Sequence, residues 1–253
     1  MKPRIIPLAL LRSSGVLITS QCFKPWRSFG TLPQFLKLQV SRQADELIIL
    51  DLDASLNDSL VSSRTFSLAQ SIANIPVAIG GGVKSADIAS RYIQQGADKV
   101  IVTSLFIDNP QEIKAITDLI GVQSLSLKID LKWSCDRQNY FVYDHRLGLS
   151  TDMCLDDAIG IIERYPVGEL ILSSVDNDGS MSGADFNFIK HTNSIGIPKI
   201  ICGGVSSSSD FLDAFKIHDL SGVAASSIFA YTENTPVTIK KELAANGVST
   251  RNI

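Results

Sequence analysis

The stretch IPVAIGGGV at 75–83 returns as IPKIICGGV at 197–205, 122 residues later. Two further stretches repeat at an offset of 123: ELIILDLD at 46–53 with ELILSSVD at 169–176, and VTSLF at 102–106 with ASSIF at 225–229. Three segments agreeing on one spacing imply a duplicated chain, with halves at about 1–121 and 122–253, and an internal repeat is read before any local pattern. Each half must then carry the same supersecondary units.

Those units are βα pairs. Short runs rich in Val, Ile and Leu lie at 4–10, 47–51, 77–79, 99–103, 125–130, 170–174, 199–202 and 222–226. Continuous apolar runs of this length suit strands buried on both faces. Helical-period stretches predict helices at 32–42, 63–73, 85–95, 110–120, 155–164, 184–193, 208–216 and 237–246. Eight such pairs in 253 residues fit one α/β domain, a single (β/α)8 TIM barrel of two half-barrels, better than an open sheet. The alternation around 140–143 favours a hairpin within 134–151.

Composition removes several classes of function. No apolar run reaches the roughly 18 residues of a membrane span, and the short apolar stretch near the start lacks a cleavage site, so a cytoplasmic protein is expected. A net charge of −3 without any basic block gives no footprint for nucleic acid. Cys22, Cys135, Cys154 and Cys202 are too scattered for a metal site and read as free thiols. His145, His191 and His218 are equally scattered, with no obvious nucleophile or carboxylate set to work with them, and read as surface or loop residues. No metal and no cofactor is expected.

In a barrel of this kind the chemistry sits at the C-terminal strand ends. There the chain places Gly81 and Gly82 after strand three and Thr103 and Ser104 after strand four. Its second half places Asp178 and Gly179 after strand six, Gly204 after strand seven, and Ser226 and Ser227 after strand eight. Glycine amides and small hydroxyls cradle anions without a cation, and their recurrence in both halves predicts two phosphate sites. Each glycine taken alone is also an ordinary tight turn. Carboxylates collect at the same ends, at Asp51, Asp53, Asp130, Asp176 and Asp178. Asp130 closes SLSLKID and is hard to explain as a turn former, so it is the candidate general acid or base. Subtracting about 120, close to the half-barrel offset, from 130 lands on position 10, where its duplicate should stand. Leu10 stands there.

Taken in order, RII, DELIILDLDAS, IPVAIGGGVKSADIASRYIQQGADKV, SLKIDLK, SVDNDGSMSG, CGGV and NGVSTR make the chain resemble the HisF-type cyclase subunit of imidazole glycerol phosphate synthase from about residue 4 to 251. The resemblance implies a barrel that takes ammonia from a glutaminase docked at its N-terminal pole and uses it on a doubly phosphorylated ribonucleotide. It matches Asp130 to one of two catalytic acids and Gly81, Gly82, Thr103 and Ser104 to one phosphate site. Asp178, Gly179, Gly204, Ser226 and Ser227 match the other. Arg4, Glu46, Lys99 and Glu169 match a charged ring at the ammonia entrance, with Asp98 beside it toward the partner; a solvated ring of balanced charges is the plainer alternative. The chain departs from the pattern at three polar positions, with Leu10 for the second acid, Thr19 for a loop lysine and Thr103 for an asparagine.

A branch associated with acetamidino-sugar modification of surface polysaccharide is similar in PLALLR and in Phe23, Pro25 and Gly30. That similarity implies ammonia passed onward to a sugar amidotransferase, with cyclase activity lost or reduced. A working cyclase of histidine biosynthesis is the alternative, and a non-catalytic subunit that activates its glutaminase by docking is a third. Whether the chain is itself an enzyme stays open at this point.

Overall fold

The computed structural model describes residues 2–251. In chain order the first half comprises β1 (Arg4–Leu11), β2 (Val16–Gln21), β3 (Lys24–Thr31), α1 (Leu32–Ser41), β4 (Leu47–Asp51), α2 (Leu52–Leu56), α3 (Ser63–Ile72), β5 (Val77–Gly80), α4 (Ala86–Gln94), β6 (Lys99–Val102), α5 (Ser104–Asp108) and α6 (Glu112–Ile120). The second comprises β7 (Leu125–Ser134), β8 (Asn139–Asp144), β9 (Leu149–Cys154), α7 (Leu155–Ile162), β10 (Glu169–Ser174), β11 (Lys199–Cys202), α8 (Ser208–Lys216), β12 (Gly222–Ala225), α9 (Ser227–Tyr231) and α10 (Pro236–Ala245). The eight parallel strands β1, β4, β5, β6, β7, β10, β11 and β12 pair in that order and close through β12 and β1 into a (β/α)8 barrel.

Alternation along each strand builds two cores, because successive side chains point to opposite faces. Ile5, Ala9, Leu47, Ile49, Val77, Ile79, Leu127, Leu170 and Val223 point outward and pack under the helices. Ile6, Leu8, Leu10, Ile48, Ala78, Ile101, Ile171, Ile200 and Ala224 point inward and fill the barrel. Local chemistry starts the helices. Thr31 and Gln34 form a capping box at α1, with Pro33 in the first turn, and Thr235 with Pro236 repeats the device at α10.

The duplication is visible in the fold. A helix of only five residues follows β6 and another follows β12, at Ser104–Asp108 and Ser227–Tyr231, neither of them legible from helical period. Two excursions break the symmetry. β1 turns at Arg12–Gly15 into the hairpin β2–β3, where the sequence reads as loop, and β7 runs on past Asp130 into the antiparallel meander β7–β8–β9. The meander is the hairpin expected within 134–151.

The helix expected at 184–193 is absent. That segment is irregular except for a 3₁₀ stretch at Asn187–Thr192. Local side-chain acceptors organise it: Asp210 accepts from the Ala184 N–H at 3.0 Å, and Asp185 accepts from the Asn187 N–H at 3.0 Å, which a helix starting at 184 would direct to a backbone carbonyl.

Candidate functional site

A cavity of about 290 Å³ opens at the C-terminal pole, and Leu10, Asp51, Gly81, Gly82, Thr103, Ser104, Asp130 and Asp178 all line it. A recess of about 30 Å³ lies against it, lined by Gly179, Gly204, Ser226 and Ser227. Leu8, Leu10, Ser20, Asp178 and Cys202 line both, so the spaces faced by the first-half and second-half glycine and hydroxyl groups adjoin across shared walls.

In the first half, Gly82 has φ +65°, and a Cβ there would collide with the Ser59 carbonyl; only glycine lets the chain pass. Its amide donates to the Ser55 hydroxyl at 3.2 Å. In the second half, the Ser226 hydroxyl is buried with no partner among the described residues, a donor that an anionic ligand would satisfy.

Asp130 is 2% exposed and stands on the inward face of β7. Lys128, two residues earlier, shares that face and forms a buried ion pair with it. Ser126 continues the file toward the other pole. β7 therefore gives the barrel interior a polar row where β1 gives Ile6, Leu8 and Leu10.

His145 corrects the reading of the histidines as lacking a carboxylate neighbour. Its Nδ1 lies 3.9 Å from Asp130 Oδ2, and the ring lines the cavity. Burial pushes the imidazole below its ordinary value, against the opposing pull of Asp130. His191 also has a carboxylate, Asp156, at 3.2 Å, but on the exterior. Lys128 was legible in principle, because residues two apart on a strand share a face. The approach of His145 depends on the meander folding back and has no local signal.

The hairpin β2–β3 roofs the space. Cys22 and Phe23 at its tip take positive φ, 47° and 63°, unusual for bulky residues. Contacts hold them: the Cys22 N–H donates to the Asp178 carbonyl at 3.0 Å, and the Phe23 N–H to its carboxylate at 2.9 Å. Gly179 has φ +68° and lies so close under the hairpin that a Cβ would meet the Ser20 carbonyl. Burial raises the Asp178 carboxyl above its ordinary value, against hydrogen bonds from Ser20 and Phe23. The Phe23 ring lies 5.2 Å from Lys128 Nζ and edge-on to Tyr143.

Thr19 stays out of the cavity. Neighbouring Ile18 packs into the barrel interior and Ser20 lines the cavity, while the Thr19 hydroxyl turns away to Tyr231 at 2.7 Å. Asp51 caps α2 through the Asp53 and Ala54 N–H groups, both at 3.1 Å, and burial raises its carboxyl against those bonds. Asp53 pins the turn after β1, accepting from the Arg12 guanidinium and from the Ser13 amide and hydroxyl.

At the opposite pole Arg4, Glu46, Lys99 and Glu169 interlock. Arg4 reaches Glu46 at 2.7 Å and Glu169 at 2.5 Å, and Lys99 reaches the same carboxylates at 2.9 and 3.2 Å. Burial works to lower the Arg4 guanidinium, yet the two glutamates leave it above its ordinary value. Asp98 is exposed, and its carboxylate accepts the Val77 N–H at 2.8 Å, closing the start of β5.

Residues 13–235 match a protein family described as histidine biosynthesis protein. The imidazole glycerol phosphate synthase subunit HisF of Staphylococcus carnosus is 32% identical over 252 residues, 99% of each chain. The subunit of the same name from Pyrococcus furiosus is also 32% identical over 252 residues, again 99% of each chain. A protein of Leptospira borgpetersenii, 34% identical over 232 residues and 91% of each chain, carries that subunit name provisionally.

Proposed function

The chain belongs to the histidine biosynthesis protein family as a HisF-like subunit, and on that premise we propose that it receives ammonia from a glutaminase docked at the N-terminal pole of the barrel, with its own cyclase activity reduced or lost. The ammonia serves amidination of a surface-polysaccharide sugar by a separate amidotransferase. One observation carries this reading: Leu10 and Asp130 line the same cavity, so the position where a second acid would work holds a side chain with no proton to exchange. Losing one member of an acid–base pair costs about 10² to 10⁴ in rate. The four-residue ring at the other pole keeps every charge, and Ser126, Lys128 and Asp130 mark the inner route from it to the cavity. Asp98 lies beside that ring and belongs to the docking face. The glycine and hydroxyl cradles on both sides hold a phosphorylated ligand.

The test combines the purified chain with its glutaminase, the phosphorylated ribonucleotide and ammonia. Turnover that is slow or absent agrees with the reading; turnover fast enough to complement a strain lacking the cyclase overturns it. Lys99→Trp in the same complex separates conduction from docking. Nitrogen transfer from glutamine should fall while glutaminase activation remains, and transfer unaffected by the block rules conduction out.

A working cyclase of histidine biosynthesis is the second reading, favoured by the retention of both cradles around Asp130. Growth of the complemented strain without histidine is its signature.

A further inference from the structure

We infer that His145 is a proton-transfer residue of this cavity, taking the proton released when ammonia adds to a carbonyl carbon of the bound phosphorylated ligand, with Asp130 as its anionic partner. The inference rests on the ammonia-handling reading above and assigns it a residue that the strand-end pattern does not contain.

Three observations support it. First, His145 sits in an exposed turn, where Leu147 is 72% exposed, yet its own ring turns back into the cavity. Second, that placement is built. Arg146 grips Asp144 through Nε at 2.9 Å and Nη2 at 2.7 Å, and grips Asp108 at the end of α5 through Nη1 at 2.5 Å and Nη2 at 2.8 Å. The residues on either side of His145 are thereby fixed to each other and to the barrel, which holds the imidazole where it is. Third, Lys128 pairs with one Asp130 oxygen and leaves the other facing His145 at 3.9 Å. That distance is ion-pair range rather than a hydrogen bond, and such contacts tighten when ligand binds.

The chemistry balances. The ammonia lone pair forms the C–N bond while the C=O π pair moves to oxygen. One N–H proton passes to the imidazole, and the imidazolium returns it to that oxygen. One ammonia and one carbonyl become one carbinolamine, and the site is restored. A buried imidazole held neutral is poised to accept, and the Asp130 carboxylate steadies the cation that forms. Asp130 and Lys128 from β7, with Asp144 and Arg146 from its own loop, are the charges that bear on the ring.

The experiment measures ammonia-dependent conversion of the phosphorylated ribonucleotide by the glutaminase complex, across pH, alongside ring-proton resonances of His145. Wild type should turn over slowly, and His145→Gln should lower kcat about 10²-fold or more with KM little changed. The acid limb of the kcat profile should follow the imidazole titration. Both should move to higher pH in Lys128→Met, which removes a cation that opposes imidazole protonation. A His145→Gln rate equal to wild type, or an acid limb that stays in place while the resonance moves, overturns the assignment. Complete absence of turnover in wild type also overturns it, while leaving the reading of lost cyclase activity intact.

Discussion

The two poles of the barrel treat charge in opposite ways, and β1 contributes to both. At the N-terminal pole its Arg4 is one of four groups in which each cation meets both carboxylates. At the C-terminal pole its Leu10 faces a cavity whose charged groups are held by separate partners: Asp130 by Lys128, Asp53 by Arg12 and Ser13, Asp178 by the Phe23 amide. An interlocked ring resists single changes, because removing one member strands buried charges. Asp53 and Asp178, each held by its own hydrogen bonds, can be exchanged one at a time, whereas the buried Lys128–Asp130 pair shares the sensitivity of the ring. The cavity is therefore the pole where sequence change alters chemistry without dismantling the fold.

The sharpest way to break that contrast is Leu10→Asp. Restoring an acid opposite Asp130 should raise ammonia-dependent cyclase turnover by about 10² to 10⁴, read as product formation by the glutaminase complex. No increase in a folded variant means that the loss at position 10 does not limit the chemistry. Next is Arg4→Met, which leaves Glu46 and Glu169 buried with Lys99 as their one remaining cation among the described residues. It should cost about 3–5 kcal/mol, seen as a lower denaturation midpoint. A smaller cost shows that the ring is better solvated than its burial indicates.

A smaller effect is expected from Gly179→Ala. The positive φ and the collision with Ser20 together should cost about 1–3 kcal/mol and lift the hairpin, so inorganic phosphate should bind more weakly by calorimetry while unfolding stays cooperative. The smallest concerns Asp53. Burial opposes its ionisation, but the Ser13 amide and hydroxyl and the Arg12 guanidinium hold its carboxyl below the ordinary carboxylate value. A carboxyl depressed in the folded state lends stability above its unfolded pKa of about 4, and loses it as pH falls through the folded value. Asp53→Asn should flatten that part of the acid limb of a stability profile and leave stability above pH 5 without this pH dependence.

The fold was legible to a large degree, and the reason lies in particular residues. Val77, Ile79, Leu170 and Leu172 announce buried strands because both faces of a parallel sheet must be apolar. The common offset of IGGGV and ICGGV marks two equivalent halves, and the paired short helices after β6 and β12 carry that equivalence into the structure. Gly81, Gly82, Gly179 and Gly204, which line the cavity and its recess, were visible for the same reason. The expected helix at 184–193 was not realised, and the capture of the Asn187 N–H by Asp185 is an engagement that periodicity cannot see. Thr19 follows suit: strand alternation in the hairpin, a property of its folded register, turns it toward Tyr231.

The sequence by itself determined the architecture, the duplicated strand ends, the missing acid at position 10 and the four charges near the strand starts, all matters of local pattern and spacing. Tertiary structure alone decided that Arg4, Glu46, Lys99 and Glu169 interlock, that Phe23 roofs Lys128, and that His145 faces Asp130. Those contacts join residues 15 to 165 positions apart, and a side chain's partner at such distance is set by barrel closure and loop return, which no periodicity in the chain encodes.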